Sequence, residues 1–96
     1  DLFLQPGDQP PVVRENLADP MIEVYRAVGI FAHEGPVRSV VDRIEQLDPA
    51  WVHAMHGGSL VGEALPAYTA ALRERDFAFD GRVLGRELPE VAKAAA

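Results

Sequence analysis

Two residues of this chain, Asp1 and His56, carry side chains that can bind a metal ion. Asp1 begins an apolar, strand-like run, and His56 follows directly on a second short apolar run at 51–55. Ligands of open α/β layers gather at the carboxyl ends of strands, and carboxylate and imidazole are ligands for zinc and iron. These positions predict a shared metal site. The alternative is that His56, which precedes two glycines, is an ordinary loop residue.

The three residues after His56 are expected to shape the loop around it. Gly57 and Gly58 permit a sharp backbone turn that would direct the His56 ring at a metal. Ser59 is a residue type that caps helices, and we expect it to cap a helix beginning near residue 62. All three are therefore assigned structural roles beside the site.

Few other side chains are candidates for metal ligands. The chain has no cysteine, so its metal ligands have to be histidines and carboxylates. His53 lies three positions before His56 on the same strand, which predicts that it faces the opposite side and is buried or partly satisfied. His33 lies in a loop that ends a helix, where a histidine favours the helix C-terminus. We expect neither of these two to be a ligand.

The residues around the two candidate ligands resemble motifs of the metallo-β-lactamase superfamily. The segment AMHGGSL at 54–60 is similar to its last metal-binding motif, in which a strand delivers a His-Gly pair. The opening DLF looks like the end of its Gly-Asp-Leu-Phe motif, whose aspartate bridges two metals. ALPAY at 64–68 and GRVLG at 81–85 look most like the di-iron, oxygen-binding branch related to flavodiiron proteins.

The resemblance implies that residues 1–96 are the C-terminal portion of an αββα sandwich, an incomplete metallo-β-lactamase-like domain. The complete protein would hold dinuclear iron or zinc and act as a hydrolase or bind oxygen. The family's principal His-x-His/Glu-x-Asp-His motif does not occur in this sequence. We therefore expect weak metal binding or none in this chain alone, no activity of its own, and a missing N-terminal half as its partner.

The elements that must position Asp1 and His56 follow an α/β order. Residues 2–4 are expected to end a buried strand, and the proline-rich stretch 5–11 to form a loop. Apolar stripes at helical spacing predict the helices, and helices 36–48 and 62–75 are expected to pack on one sheet. The predicted helices are 20–32, 36–48 and 62–75. The predicted strands are 2–4 and 51–55, which we expect to be neighbours in the sheet. Residues 77–84 are expected to form a hairpin-like strand segment or an irregular arm, and the tail 90–96 is expected to be frayed.

Composition is typical of a single folded domain. Of the 96 residues, 48% are hydrophobic and 25% are charged, which is far from the composition of disordered chains. The net charge of −6 argues against nucleic acid as a partner. No apolar run approaches the roughly 20 residues that span a bilayer, so we expect a soluble, cytoplasmic protein without a membrane partner. The absence of an initiator Met predicts a truncated or processed product.

A second function remains open. The chain could be a non-catalytic α/β interaction module, or the remnant of an enzyme, that self-associates through an open sheet edge. Large aromatic residues do not decide between the two, because Trp51, Tyr68 and Phe77 are expected in the core. Metal content discriminates between the two functions.

Overall fold

A computed structural model describes residues 1–83 and 86–87, with side chains as far as residue 81, and the protein is a small mixed α/β protein. Its helices and its three-stranded sheet confirm the general α/β class. The helices are α1 (Ala18–Val28), α2 (Gly35–Leu47) and α3 (Leu65–Glu74), the last preceded by a 3-10 turn, Gly62–Ala64. The strands are β1 (Val12–Val13), β2 (Trp51–His53) and β3 (Ser59–Val61), and a separate two-stranded antiparallel sheet is formed by β4 (Arg82–Val83) and β5 (Arg86–Glu87).

The first helix begins earlier than its apolar stripe predicts. The Asn16 side chain accepts a hydrogen bond from the Ala18 N–H at 3.0 Å, and the Tyr68 hydroxyl accepts one from the Leu17 N–H at 3.0 Å. These partners satisfy N–H groups that a helix start leaves free. The helix ends before residue 32 because Gly29 adopts a left-handed conformation, φ 72°. The predicted range 20–32 was therefore correct in type and displaced toward the C-terminus.

Residues 2–4 form a turn rather than the predicted strand. The Leu4 N–H donates to the Asp1 carbonyl at 3.2 Å, and Phe3 adopts φ 61°, which is uncommon for a bulky residue. The Phe3 ring is buried and packs edge-on against Tyr68, with ring centroids 6.4 Å apart. Burial of this ring offsets the cost of the left-handed backbone. The predicted pairing of 2–4 with 51–55 was therefore wrong.

The sheet has β3 at its centre, parallel to β1 and antiparallel to β2. Val13 and Val52 are both register partners of Leu60, and all three belong to the core or pack against it. Because side chains alternate along a strand, Trp51 and His53 lie on the opposite face. Strand β2 is therefore an edge strand whose outer face is exposed.

The core lies between the inner face of the sheet and a helical layer in which α3 contacts both α1 and α2. Tyr68 and Phe77 are fully buried, as predicted, but Trp51 is 48% exposed, so its assignment to the core was wrong. The largest fully buried side chains are Tyr25, Tyr68, Phe77, Met21, Ile22, Leu60, Leu72, Val13 and Val41.

An irregular arm follows α3 over residues 75–81, which is one of the two forms predicted for residues 77–84; the strand Arg82–Val83 begins only after it. The Glu34 carboxylate accepts hydrogen bonds from the N–H groups of Phe77 at 3.2 Å and Ala78 at 3.0 Å. The predictions for residues 84–85 and for the tail 90–96 fall outside the described residues. No helix in the described ranges is long and apolar enough to cross a membrane.

Candidate metal-ligand pair

The structure brings Asp1 and His56 together although 55 positions separate them in the chain. The His56 Nδ1 atom lies 2.5 Å from the Asp1 Oδ1 atom. The Asp1 side chain is 33% exposed and the His56 side chain 61% exposed, so solutes can reach both. The predicted proximity is therefore present, but it comes from two turns and not from paired strands.

The contact leaves one ring nitrogen of a neutral His56 imidazole able to bind a cation. A carboxylate only accepts hydrogen bonds, so the Nδ1 atom carries the hydrogen, and in the neutral ring the Nε2 atom then keeps its lone pair. Carboxylates that accept from a histidine in this way orient ligating imidazoles in many metal sites. Asp1 can therefore hold the ring for a metal at Nε2, or exchange this hydrogen bond for a bond of its own to the metal.

Tyr25 holds the backbone of Asp1. Its hydroxyl donates to the Asp1 carbonyl at 2.8 Å, and the tyrosine is completely buried on α1. Burial raises the pKa of Tyr25 to about 12, which keeps the hydroxyl protonated as a donor. The Phe31 ring packs edge-on against it, with centroids 4.9 Å apart. Tyr25 belongs to the buried, apolar face of its helix, and nothing in the sequence indicates this second role.

The turn at Gly57 and Gly58 directs His56 toward Asp1. Gly57 has φ 123°, a conformation open to glycine and strained for other residues. A Cβ atom on Gly57 would collide with the Gln5 side chain, and one on Gly58 would collide with the Pro10 carbonyl. Gly57 is therefore required for both its conformation and the space it leaves, and Gly58 for space alone.

Ser59 does not cap a helix as predicted. It lies in β3, and its Oγ atom is 2.7 Å from the Nδ1 atom of His53. The 3-10 turn that follows is preceded by Val61 and has no side-chain cap. Ser59 was misassigned because the chain continues as a strand for two residues after it.

Gln5 is a site residue that sequence reasoning missed. Its side-chain amide is buried, donates from Nε2 to the Phe3 carbonyl at 3.0 Å, and accepts from the Gly58 N–H at 2.8 Å. A single glutamine before Pro6 offers no pattern that predicts a long-range hydrogen bond. Only the folded chain shows that this amide joins the turns carrying Asp1 and His56.

The other two histidines lie elsewhere. His53 is exposed on the outer face of β2, where its ring is stacked parallel to Trp51 with centroids 6.5 Å apart. Of the two environments predicted for it, it is not buried, but its Nδ1 atom has a partner in the Ser59 hydroxyl. His33 is exposed in the loop between α1 and α2. Within residues 1–83 and 86–87, no group of three or more His, Cys, Asp or Glu side chains could hold a metal ion.

Two of the surface cavities in the described part of the chain have linings that bear on this site. One of 330 Å³ opens beside Asp1 and is lined otherwise by apolar side chains: Leu2, Phe31, Pro36, Val37 and Val40. The other, of 370 Å³, lies between α2 and α3, where Arg73 is held by Asp42 and Glu45. Only the first adjoins the candidate pair, so the second is not part of this site.

Searches of protein-family models, curated proteins and solved structures found no match to this chain. The resemblance of its motifs to the metallo-β-lactamase superfamily is therefore carried by the motifs alone.

Proposed function

We propose that this chain supplies Asp1 and His56 as two ligands of a dinuclear zinc or iron centre, as the C-terminal part of a metallo-β-lactamase-like αββα sandwich. The observation that carries the proposal is the 2.5 Å contact between the Asp1 carboxylate and the His56 imidazole. The remaining ligands come from an N-terminal half outside these residues. The complete protein is a metal-dependent hydrolase or a di-iron oxygen-binding protein.

Three properties of the pair support this function. A carboxylate and an imidazole form a ligand set for zinc or iron. Both side chains are accessible, and both are held from behind by a buried partner, Tyr25 for Asp1 and Gln5 for the turn after His56. A bound metal pair would activate water as a nucleophile or bind dioxygen. Asp1 would contribute a negatively charged ligand to the metal pair, and His56 would contribute a neutral nitrogen ligand.

The experiment is a titration of the chain with zinc, followed through the imidazole NMR resonances of its three histidines. We expect His56 to respond at the lowest zinc concentrations, because Asp1 adds a second ligand beside it. Asp1→Asn should weaken this response about tenfold or more, and His56→Ala should remove the tightest binding event. His33→Ala is the matched control, since it removes an exposed imidazole from a loop and should leave the His56 response unchanged.

The proposal fails on either of two results. Equal responses of all three histidines would mean that zinc binds nonspecifically to exposed imidazoles. An Asp1→Asn variant with the affinity of the original chain would mean that the carboxylate takes no part in metal binding.

A second candidate function is self-association through β2, and a different observation favours it. Trp51 and Met55 are 48% and 78% exposed, although both lie on or next to an edge strand. Residues 49–62 are the longest stretch of the sequence without Asp, Glu, Lys or Arg. Proteins usually protect edge strands with charged side chains. We propose that a second copy of the chain pairs with this edge. Each copy carries a net charge of −6, and the electrostatic repulsion between two copies is smallest where the surface has no charged side chains.

Sedimentation velocity tests this second function. We expect a dimer at micromolar concentrations that Trp51→Lys converts to a monomer, because a charge on the edge opposes pairing. Leu47→Lys is the control, since Leu47 is another exposed large hydrophobic residue but lies on α2. A monomeric original chain, or an equal effect of both variants, would rule out pairing through β2.

A further inference from the structure

Gln5 connects the two segments that carry the candidate ligands. Its backbone N–H donates to the His56 carbonyl at 3.1 Å, and its side-chain amide bonds Phe3 on one side and Gly58 on the other. The residue is 2% exposed, so these hydrogen bonds are shielded from water. One glutamine therefore links the turn that presents Asp1 to the turn that presents His56.

The surroundings of Gln5 are built to receive an amide. A buried amide without partners costs about 1–3 kcal/mol, yet no side-chain polar atom buried in the described part of the chain lacks a partner. A Cβ atom on Gly57 would meet the Oε1 and Cδ atoms of Gln5, so the glycine provides the space in which the amide lies. The amide and the turn thus require each other.

We propose that Gln5 is a positioning residue that sets the distance and orientation of Asp1 and His56. It touches neither a metal nor a substrate and acts through the Phe3 carbonyl and the Gly58 N–H. An apolar residue of the same length could fill the space but would leave both backbone groups unpaired. The two turns would then be free to separate, and the hydrogen bond between Asp1 and His56 would weaken. The consequence for metal affinity rests on the proposed function, whereas the geometric consequence does not.

The test compares the original chain with Gln5→Met, which keeps the length of the side chain and removes the amide. Nitrogen-15 NMR of the His56 ring reports which nitrogen carries the hydrogen. We expect the Nδ1–H form to dominate in the original chain and to give way to a mixture in Gln5→Met. Zinc affinity should fall about 10- to 100-fold, as for other residues that orient metal ligands.

Thr69→Val is the matched control, because Thr69 is also buried and also bonds a backbone carbonyl, that of Pro66. It should leave the His56 ring and zinc affinity unchanged. Circular dichroism checks that each variant folds. If Gln5→Met does not fold, Gln5→Glu replaces it, since the carboxylate still accepts from Gly58 but, when ionised, no longer donates to Phe3.

The outcomes separate this inference from the proposed function. An altered His56 ring in the Gln5 variant, with no zinc binding in either protein, would uphold the positioning role and overturn the metal function. An unchanged ring with unchanged zinc affinity would overturn the positioning role alone. An equal effect of Thr69→Val would also overturn it, because the effect would then reflect general loosening of the fold.

Discussion

At the scale of single residues, the pair depends on neighbours that cannot bind a metal. Asp1 is held through its carbonyl and His56 through the turn that follows it, so a change at either support should move a ligand without removing it. Residues of this kind are hard to recognise in a sequence, because glycine, glutamine and tyrosine each occur for many reasons. The folded chain distinguishes them by what they touch.

Gly57→Ala should destabilise the protein. The φ of 123° is strained for alanine, and the added methyl group collides with Gln5. Such strained backbone costs of the order of 1–3 kcal/mol, which urea unfolding can measure as a lower midpoint at an unchanged slope. Gly35→Ala is the control: its Cβ would meet nothing within 4 Å at the start of α2. That variant should be neutral or slightly stabilising, and an equal loss in both would contradict the assignment.

Tyr25→Phe should cost about 1 kcal/mol, the net value of a hydrogen bond, and should alter the His56 resonances because the hold on Asp1 is lost. Burial raises the pKa of Tyr25 to about 12 in the fold, above its ordinary value of 10.0. The stability linked to this group is therefore complete below pH 10 and is lost as the pH rises toward 12. In Tyr25→Phe, the free energy of unfolding should therefore fall less steeply between pH 10 and pH 12 than in the original chain. Urea denaturation at each pH measures this free energy.

Tyr68→Phe is the control for this prediction. Burial also raises the pKa of Tyr68, but its hydroxyl donates to the Glu15 carbonyl and does not contact Asp1. The control should lose stability and leave His56 unaffected. A response of His56 in both variants would show that Tyr25 has no specific role at Asp1.

At the scale of elements, the sequence predicted helices better than strands. The stripes through Met21 and Val41 mark faces that are buried in the fold, so the helices lie where periodicity placed them. Their ends shifted because distant partners such as Tyr68 satisfy the first turn of α1. The run at 2–4 was too short to show a period, and Phe3 entered the core from a turn. Strand β1 was missed because only two residues pair, directly after Pro11.

Glu34 joins two elements, and Glu34→Gln should loosen the arm after α3. The carboxylate accepts from two backbone N–H groups, and the hydrogen bond from Ala78 is the largest cause that lowers the pKa of Glu34. Its stabilising effect is therefore present above the ordinary carboxyl pKa of 4.5 and is lost as the pH falls through the lower folded value. Hydrogen exchange at Phe77 and Ala78 should accelerate several-fold at neutral pH in the variant.

Glu23→Gln is the control for the arm, because it also removes one negative charge from an exposed position, on α1. Amide exchange at residues 77 and 78 should be unaffected by it. Equal acceleration in both variants would assign the effect to net charge and not to the hydrogen bonds of Glu34.

At the scale of the whole molecule, the described residues cover one face of the sheet with helices and leave side chains on the other face exposed. The inner face shares a core with three helices, whereas Trp51 and His53 are exposed on the outer face. A sandwich in which a second sheet covers this face, and a dimer in which a second copy extends the β2 edge, both reduce the exposure of Trp51. Fluorescence of the single tryptophan reports on either event.

The 96-residue chain alone should show no appreciable hydrolase or oxygen-reducing activity. Two ligands leave most coordination positions of a metal to water, and catalysis needs a fixed geometry with supporting partners around it. The test is to purify the chain, measure iron and zinc per monomer, and assay it beside His56→Ala. We expect substoichiometric metal and equal, background rates in both proteins. Stoichiometric metal that is lost in His56→Ala, together with turnover in the original chain, would contradict the prediction, because other residues would then have to complete a working site.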